Sequence, residues 1–312
     1  MKAPSLTLVV PVYNRAGIVE RSLDCIAAQT LRPLSLIIVD NNSTDNTAEV
    51  IERWADAHRS SSFDITVTRE TRPGAAAARR RGLELVSTPI VQFFDSDDIM
   101  APTLAADIVN AFAARPELEL LGWDTNVQAP DGSRRINRFR VDDRTMYRAL
   151  VHGMLSTQRY AALTSLVRRA GSWRPDIRVW NDMELSTRIV LLNPVMQRLD
   201  VEAPVTTIFT ADSITHGANS TPVSSAKEHT LDVCYETMLE AGHREGQAYV
   251  NYRRACLAAE YASAGAHTDA RRLMSQLPVH SRWRYRLIYL KHRLCRRGTW
   301  LLRPPLPLKS TQ

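Results

Sequence analysis

A chain of 312 residues that is 44% hydrophobic and 23% charged carries enough apolar material for a sizeable core. That excludes general disorder and allows either one domain with an extension or two domains. The formal charge of +7 is unevenly placed: the last 43 residues, from Ala270 onward, hold eleven Lys and Arg and no acid, while the rest holds 29 basic and 33 acidic side chains. A mildly acidic body with a basic tail does not describe a nucleic-acid-binding fold, which would carry its basic patch on the body itself.

Taken in order, the β-rich run Leu6–Val12 predicts a first strand. Ile18, Ser22, Ile26 and Gln29, with Val19 and Leu23 beside them, then fall on one face and predict a helix over residues 15–30. Leu34–Asp40 reads as a second buried strand ending in an acid, and the polar turn from Asn41 to Asp45 supplies helix-capping residues for a helix carrying Val50, Ile51 and Trp54. Residues 64–69 alternate as a third strand. An alanine-rich helix follows over residues 75–86, carrying Arg79, Arg80 and Arg81. Strand and helix alternate every ~25–30 residues, which argues for a parallel sheet covered by helices.

The fourth strand, residues 90–95, is an apolar run that ends in three carboxylates, Asp95, Asp97 and Asp98. Three acids at the end of a buried strand repel one another and need a cation or ligand donors to sit together. In an open α/β sheet that position is the ligand crevice, and hard oxygen donors suit Mg²⁺ or Mn²⁺ held jointly with a phosphate. The competing reading is a helix cap ahead of Pro102 with solvated loop acids, and this stretch alone leaves both open.

Beyond it, residues 102–114 read as a helix and residues 118–127 as a single strand, with a turn at Pro130, Asp131 and Gly132. The pattern is mixed from Asp143 to Arg169; residues 181–192 form a helix and residues 205–209 a last strand before the loop that carries His216. From Ser225 the texture is helical only, over residues 226–241, 247–264 and 267–277. The tail sets Trp283, Leu287, Leu290 and Leu294 on one stripe flanked by Arg282, Arg286, Arg293 and Arg297. Such a helix reads as an element for an anionic membrane surface, or else as one docked on its own domain with a solvated basic face. Cys25, Cys234, Cys256 and Cys295 have no metal or disulfide spacing and read as packing residues in a reducing compartment. With no leader-like or bilayer-spanning run, the expected location is cytoplasmic, peripheral at the inner face of the plasma membrane if the tail binds lipid.

Pro11, Tyr13 and Asn14, the run from Val39 to Asp45, Gly74 to Arg79, Phe94 to Asp98, and Trp180, Asn181 and Asp182 with Arg188 together resemble family 2 glycosyltransferases of the GT-A fold. The resemblance covers about residues 5–220, and five motifs in order are far more specific than any one. It implies a Rossmann-like, mostly parallel sheet covered by helices over residues 1–222, with an all-α extension over residues 223–312. By the same resemblance, Pro11, Tyr13 and Asn14 line the nucleotide base of the donor, Asp40 meets the uracil or ribose, and Arg79 suits a phosphate. Asp95 and Ser96 stand on the donor side, while Asp97 ligates the Mn²⁺ or Mg²⁺ bridging the diphosphate, with His216 as a metal or phosphate contact. Asp182 is implied as general base; Thr157, Trp173, Trp180, Asn181 and Arg188 are acceptor-side candidates. Two positions depart from the family's pattern: Arg80 stands where relatives carry Asn, and Asn181 where they carry Glu.

The implied activity is inverting transfer of a sugar from a nucleotide-diphosphate donor, a UDP-sugar first, to a hydroxyl of a glycan or lipid-linked glycan. A catalytically silent carbohydrate-binding module on the same fold would have lost the paired acids or the base, and the chain keeps both. A nicotinamide-dependent oxidoreductase needs a glycine-rich turn after the first strand, where this chain has Pro11 to Arg15.

Overall fold

The computed structural model describes residues 5–129, 131–208 and 221–294. They fall into two compact units, the first within Met1–Thr145 and Gly153–Ala211, the second within Met146–His152 and Asp212–Gln312.

The first unit is built on β1 (Leu6–Val12) and β2 (Leu34–Asp40), each buried along its whole length. Continuous burial is what a central parallel strand covered on both faces requires. Leu6, Leu8, Val10 and Val12 face a core shared with α1 (Val19–Ala27), α2 (Thr47–His58) and α4 (Leu104–Ala114). Val9, Ile37 and Val39 face the opposite core, shared with α3 (Ala75–Leu85), α6 (Thr164–Arg169) and α7 (Asn181–Leu191). With β3 (Phe63–Arg69), β4 (Ile90–Phe93), β6 (Leu120–Gly122), β9 (Tyr160–Leu163) and β10 (Met196–Arg198), the sheet has seven strands in the order β10-β6-β9-β4-β1-β2-β3. All neighbours run parallel except β9, which is antiparallel to β4 and β6. The fold is therefore α/β with a mostly parallel sheet.

A second sheet, β5-β11-β7-β8, joins β5 (Ile99–Met100), β7 (Thr125–Gln128), β8 (Arg134–Asn137) and β11 (Val205–Ile208). The single strand expected over residues 118–127 is thus two strands in different sheets. The chain breaks at Trp123 and Asp124, whose polar groups are satisfied sideways: the Trp123 indole donates to the Gln158 carbonyl, and the Asp124 carboxylate accepts from Phe139 N–H and Arg198. Helix α1 is also shorter than expected, because Ile18 N–H and Val19 N–H both turn back to the Arg15 carbonyl.

The second unit contains α8 (Thr221–Glu240), α9 (Arg244–Ser263), α10 (His267–Ser275) and α11 (Arg282–Leu294), together with Met146–His152 of α5 (Thr145–His152). Tyr147 of α5 meets the Tyr249 ring edge-on at 5.1 Å.

Candidate active site

The functional candidates gather at the carboxyl ends of β1, β2 and β4, the crevice end of a parallel sheet. The loops after β1 and β2 are tied together. Asn14, at φ 50°, donates its backbone N–H to Ser43 Oγ at 3.0 Å, and its Oδ1 accepts from Thr44 N–H at 2.8 Å. Asn tolerates this left-handed conformation because its short amide can bond locally. Asp40, almost fully buried, accepts from the Ser43 N–H at 3.2 Å and stands 3.9 Å from Arg69. Pro11 is buried within β1, whereas Tyr13 is 53% exposed, a ring available for stacking.

The three acids after β4 divide into different environments. Asp95 and Asp97 keep partly open carboxylates, with side-chain exposures of 29% and 22%. Asp98 is buried, and its Oδ1 accepts from the Ile208 N–H at 3.0 Å, so it anchors the end of β11 to the acid loop. The sequence left Asp98 between a place behind the metal site and a helix cap; in the structure it ties the acid loop to β11 of the second sheet. Helix α1 holds the loop from the other side. Arg21 donates to the Asp97 carbonyl at 2.7 Å and Ser22 Oγ to the Asp98 carbonyl at 2.8 Å, while Arg15 lies 3.7 Å from the Asp97 carboxylate. Arg15, Arg21 and Ser22 were missed from sequence, although Arg15 directly follows the Asn14 turn. Ser96 is buried inside the acid loop.

Arg79 links this loop to α7. It is nearly fully buried; its Nη2 donates to Asp95 at 2.7 Å and its Nη1 to Asn181 Oδ1 at 2.9 Å, while its guanidinium lies 4.9 Å from the Trp173 ring centre. One N–H of each terminal nitrogen is engaged by protein, so Arg79 links Asp95 to Asn181. The acceptor-side expectation for Trp173 is corrected: with no exposed surface, packed edge-on against Phe93 at 5.1 Å, it belongs to the core and cannot stack on a sugar. Arg188 pairs with Glu184 at 2.6 Å and donates to the Ala170 and Ser172 carbonyls, so it braces the loop before α7. Thr157 is buried in a short 3-10 turn. Trp180 is half-buried and adopts φ 56° at the head of α7, a strained backbone of the kind found at working sites. His216 lies outside the described residues.

Asp182 sits in the first turn of α7, partly open to solvent, and its Oδ1 accepts from the Met183 N–H at 2.9 Å. Burial pushes its carboxyl above the usual Asp range, Arg79 opposes the shift, and Asp95 adds to it. Asp97 is also raised, by burial first and then by Asp95, against the pull of Arg15. Asp98 is raised well above the usual range by burial and by both neighbouring acids.

Among the described residues no three His, Cys, Asp or Glu side chains form a ready-made metal cage. Asp95 and Asp97 nevertheless suit a divalent cation shared with a diphosphate. They offer hard oxygen donors, leave coordination positions for phosphate and water, and carry a mutual repulsion that a cation relieves.

A parallel α/β sheet with paired acids after its fourth strand and a carboxylate heading a neighbouring helix defines a nucleotide-sugar-type transferase fold of the GT-A class. The chain belongs to Glycosyl transferase family 2, whose sequence profile matches residues 7–170. It is similar to the PGL/p-HBAD biosynthesis glycosyltransferase of Mycobacterium bovis, 27% identical over 195 residues, covering 60% of this chain and 74% of that protein. It is also similar to the validoxylamine A glucosyltransferase of Streptomyces hygroscopicus subsp. jinggangensis, 30% identical over 147 residues, 45% of this chain and 34% of that protein. The match to the amylovoran biosynthesis glycosyltransferase AmsB of Erwinia amylovora is 35% over 99 residues, 31% of this chain and 32% of that protein. Two of these three curated relatives are thus matched over only about a third of their length. In three dimensions the chain resembles residues 1–349 of S. aureus TarS in complex with UDP-GlcNAc, with TM-score 0.64, 16% identity and coverage of 93% and 89% of the two chains. It also resembles the mannosyltransferase PcManGT of Pyrobaculum calidifontis in complex with GDP-Man and Mn²⁺, with TM-score 0.53, 19% identity and coverage of 95% and 88%.

Proposed function

We propose that this glycosyltransferase acts by inversion, moving a sugar from a nucleoside-diphosphate donor, a UDP-sugar first, to a hydroxyl acceptor in polysaccharide or glycolipid assembly. The observation that carries this reading is the bridge from Asp95 through Arg79 to Asn181, which couples the donor-side acids to the turn bearing Asp182. The TarS and PcManGT complexes support a nucleotide-sugar donor and, for the second, a divalent cation. The amylovoran and PGL/p-HBAD relatives support an acceptor drawn from polysaccharide or glycolipid assembly.

In this reading Tyr13 stacks on the base, with Pro11 and Asn14 shaping its pocket, and Asp40 bonds the uracil or ribose. Asp97, with Asp95 beside it, would hold Mn²⁺ or Mg²⁺ through hard carboxylate oxygens. Such a cation, when bound, neutralises charge developing on the leaving nucleoside diphosphate. Asp182 accepts the acceptor hydroxyl's proton as that oxygen forms its bond to the anomeric carbon. The anomeric carbon–oxygen bond to phosphate breaks on the opposite face, its electron pair leaves with the diphosphate, and the configuration inverts. Trp180 and Asn181 border the acceptor's approach; His216 belongs to this reading as a phosphate or metal contact. No described helix is long and apolar enough to cross a membrane, and a cytoplasmic, peripheral location fits a lipid-linked acceptor.

Nucleotide release from UDP-, GDP- and dTDP-sugars, with and without Mn²⁺, tests the reading, with Asp182→Asn as the decisive variant. Transfer should fall by about a hundredfold or more in that variant while donor affinity stays within about twofold. Loss of donor binding in Asp182→Asn would make it a structural cap, and failure of every donor to bind would sink the activity altogether.

A further inference from the structure

Helix α11 carries two apolar faces. Tyr285 is buried and Ile288 packs in the same small core, formed with Ala255 of α9, Met274 and Leu277. On the other side Trp283 and Leu287 are each 58% exposed and Leu290 is 48% exposed, with Val279, one turn earlier, at 78%. At ~100° per residue, Trp283, Leu287 and Leu290 form a stripe roughly opposite Tyr285 and Ile288. The helix is therefore docked by one face, and the stripe that the sequence singles out is the other.

The cations sit on both edges of the outward stripe, Arg284 and Lys291 along one edge and Arg286 and Arg293 along the other. Arg284 lies over the Trp283 ring at 5.1 Å. Among the described residues, no carboxylate forms an ion pair with Arg284, Arg286, Lys291 or Arg293. The sequence onward adds Arg296, Arg297, Arg303 and Lys309 with no acid.

We propose that the outer face of α11 seats the protein on an anionic lipid surface, with Trp283, Leu287 and Leu290 entering the headgroup boundary and the flanking cations meeting lipid phosphates. Charge complementarity selects this occupant: long basic side chains beside an apolar stripe reach the headgroups while the stripe is buried, which is the geometry of an interfacial helix. A nucleic acid would use the cations and leave the Leu side chains in water. The inference rests on the second unit alone and stands whether or not the donor reading holds.

The test is co-sedimentation of the full chain with vesicles of phosphatidylcholine, alone or with about 30% phosphatidylglycerol, together with an RNA homopolymer as competitor. The protein should partition to the anionic vesicles, weaken with added salt, and shift its tryptophan emission to the blue, a shift that Trp283→Phe removes. The pair Leu287→Ser and Leu290→Ser, on an exposed face, should leave the circular-dichroism melt unchanged while lowering vesicle affinity about tenfold or more. Unchanged partitioning of that double variant, equal binding to neutral vesicles, or displacement by RNA at matched charge would overturn the proposal.

Discussion

Arg79 shows how much one residue's environment decides. In the sequence it is the first of three consecutive arginines; in the structure its two terminal nitrogens are engaged by Asp95 and Asn181, beneath which Trp173 lies. A buried guanidinium so engaged opposes the rise in the Asp182 carboxyl, whose raised position comes first from burial. With Asp182 as the proposed base, working as a carboxylate above its folded pKa, the acid limb of kcat should lie above the ordinary Asp value of 3.8. Arg79→Met removes the cation that opposes the rise, so the acid limb should move to higher pH, and Arg79→Lys should restore part of the shift. A fall in kcat at all pH values with no movement of the limb would reduce Arg79 to packing. The motifs that suggested Asp182 and the acid pair were legible in sequence, because backbone turns after strands demand particular residues. The partner of Arg79 was not, since Asn181 is 102 positions away.

At the scale of elements, α3 lies against the sheet with little clearance. A Cβ built on Gly82 would stand 2.3 Å from the Val9 Cγ1 of β1, and Ala78, one turn earlier, is likewise buried. Alanine is favoured over glycine inside a helix by about 1 kcal/mol, but overpacking a closed interface costs about 1–3 kcal/mol. Gly82→Ala should therefore lower stability, and combining it with Val9→Ala should recover part of the loss; a more stable Gly82→Ala in thermal melts would show that the helix can shift. The small residues of α3 were readable as a helix pattern. Their purpose, close approach to a central strand, depends on which strand lies beneath.

Across the whole molecule each unit has its own core. The first has a two-faced core on either side of its sheet. The helical unit buries residues such as Leu231, Met238, Val250 and Leu257 and adds polar ties such as Glu228 of α8, which accepts from Tyr261 of α9 and from Arg272 at 2.8 Å. Burial alone would raise the Glu228 carboxyl, but the bonds from Arg272 and Tyr261 outweigh it and hold it below the ordinary value of 4.5. A depressed carboxylate contributes stability above its unfolded pKa and loses it as pH falls through the folded one. Glu228→Gln should thus destabilise the helical unit at neutral pH by about 1–3 kcal/mol and by much less in strong acid. A loss of equal size at both pH values would mean that the charge is irrelevant.

Sequence by itself determined the mostly parallel sheet covered by helices, because strand hydrophobicity and the alternation of strand with helix are local patterns. It did not determine that residues 118–127 serve two sheets, that Trp173 and Arg188 brace the site from below, or that Asp98 holds β11 through the Ile208 N–H. Those depend on burial and on partners tens to more than a hundred positions apart. The same holds for α11: its stripe was plain in the sequence, but only packing against α9 decides which of its two apolar faces is left for water.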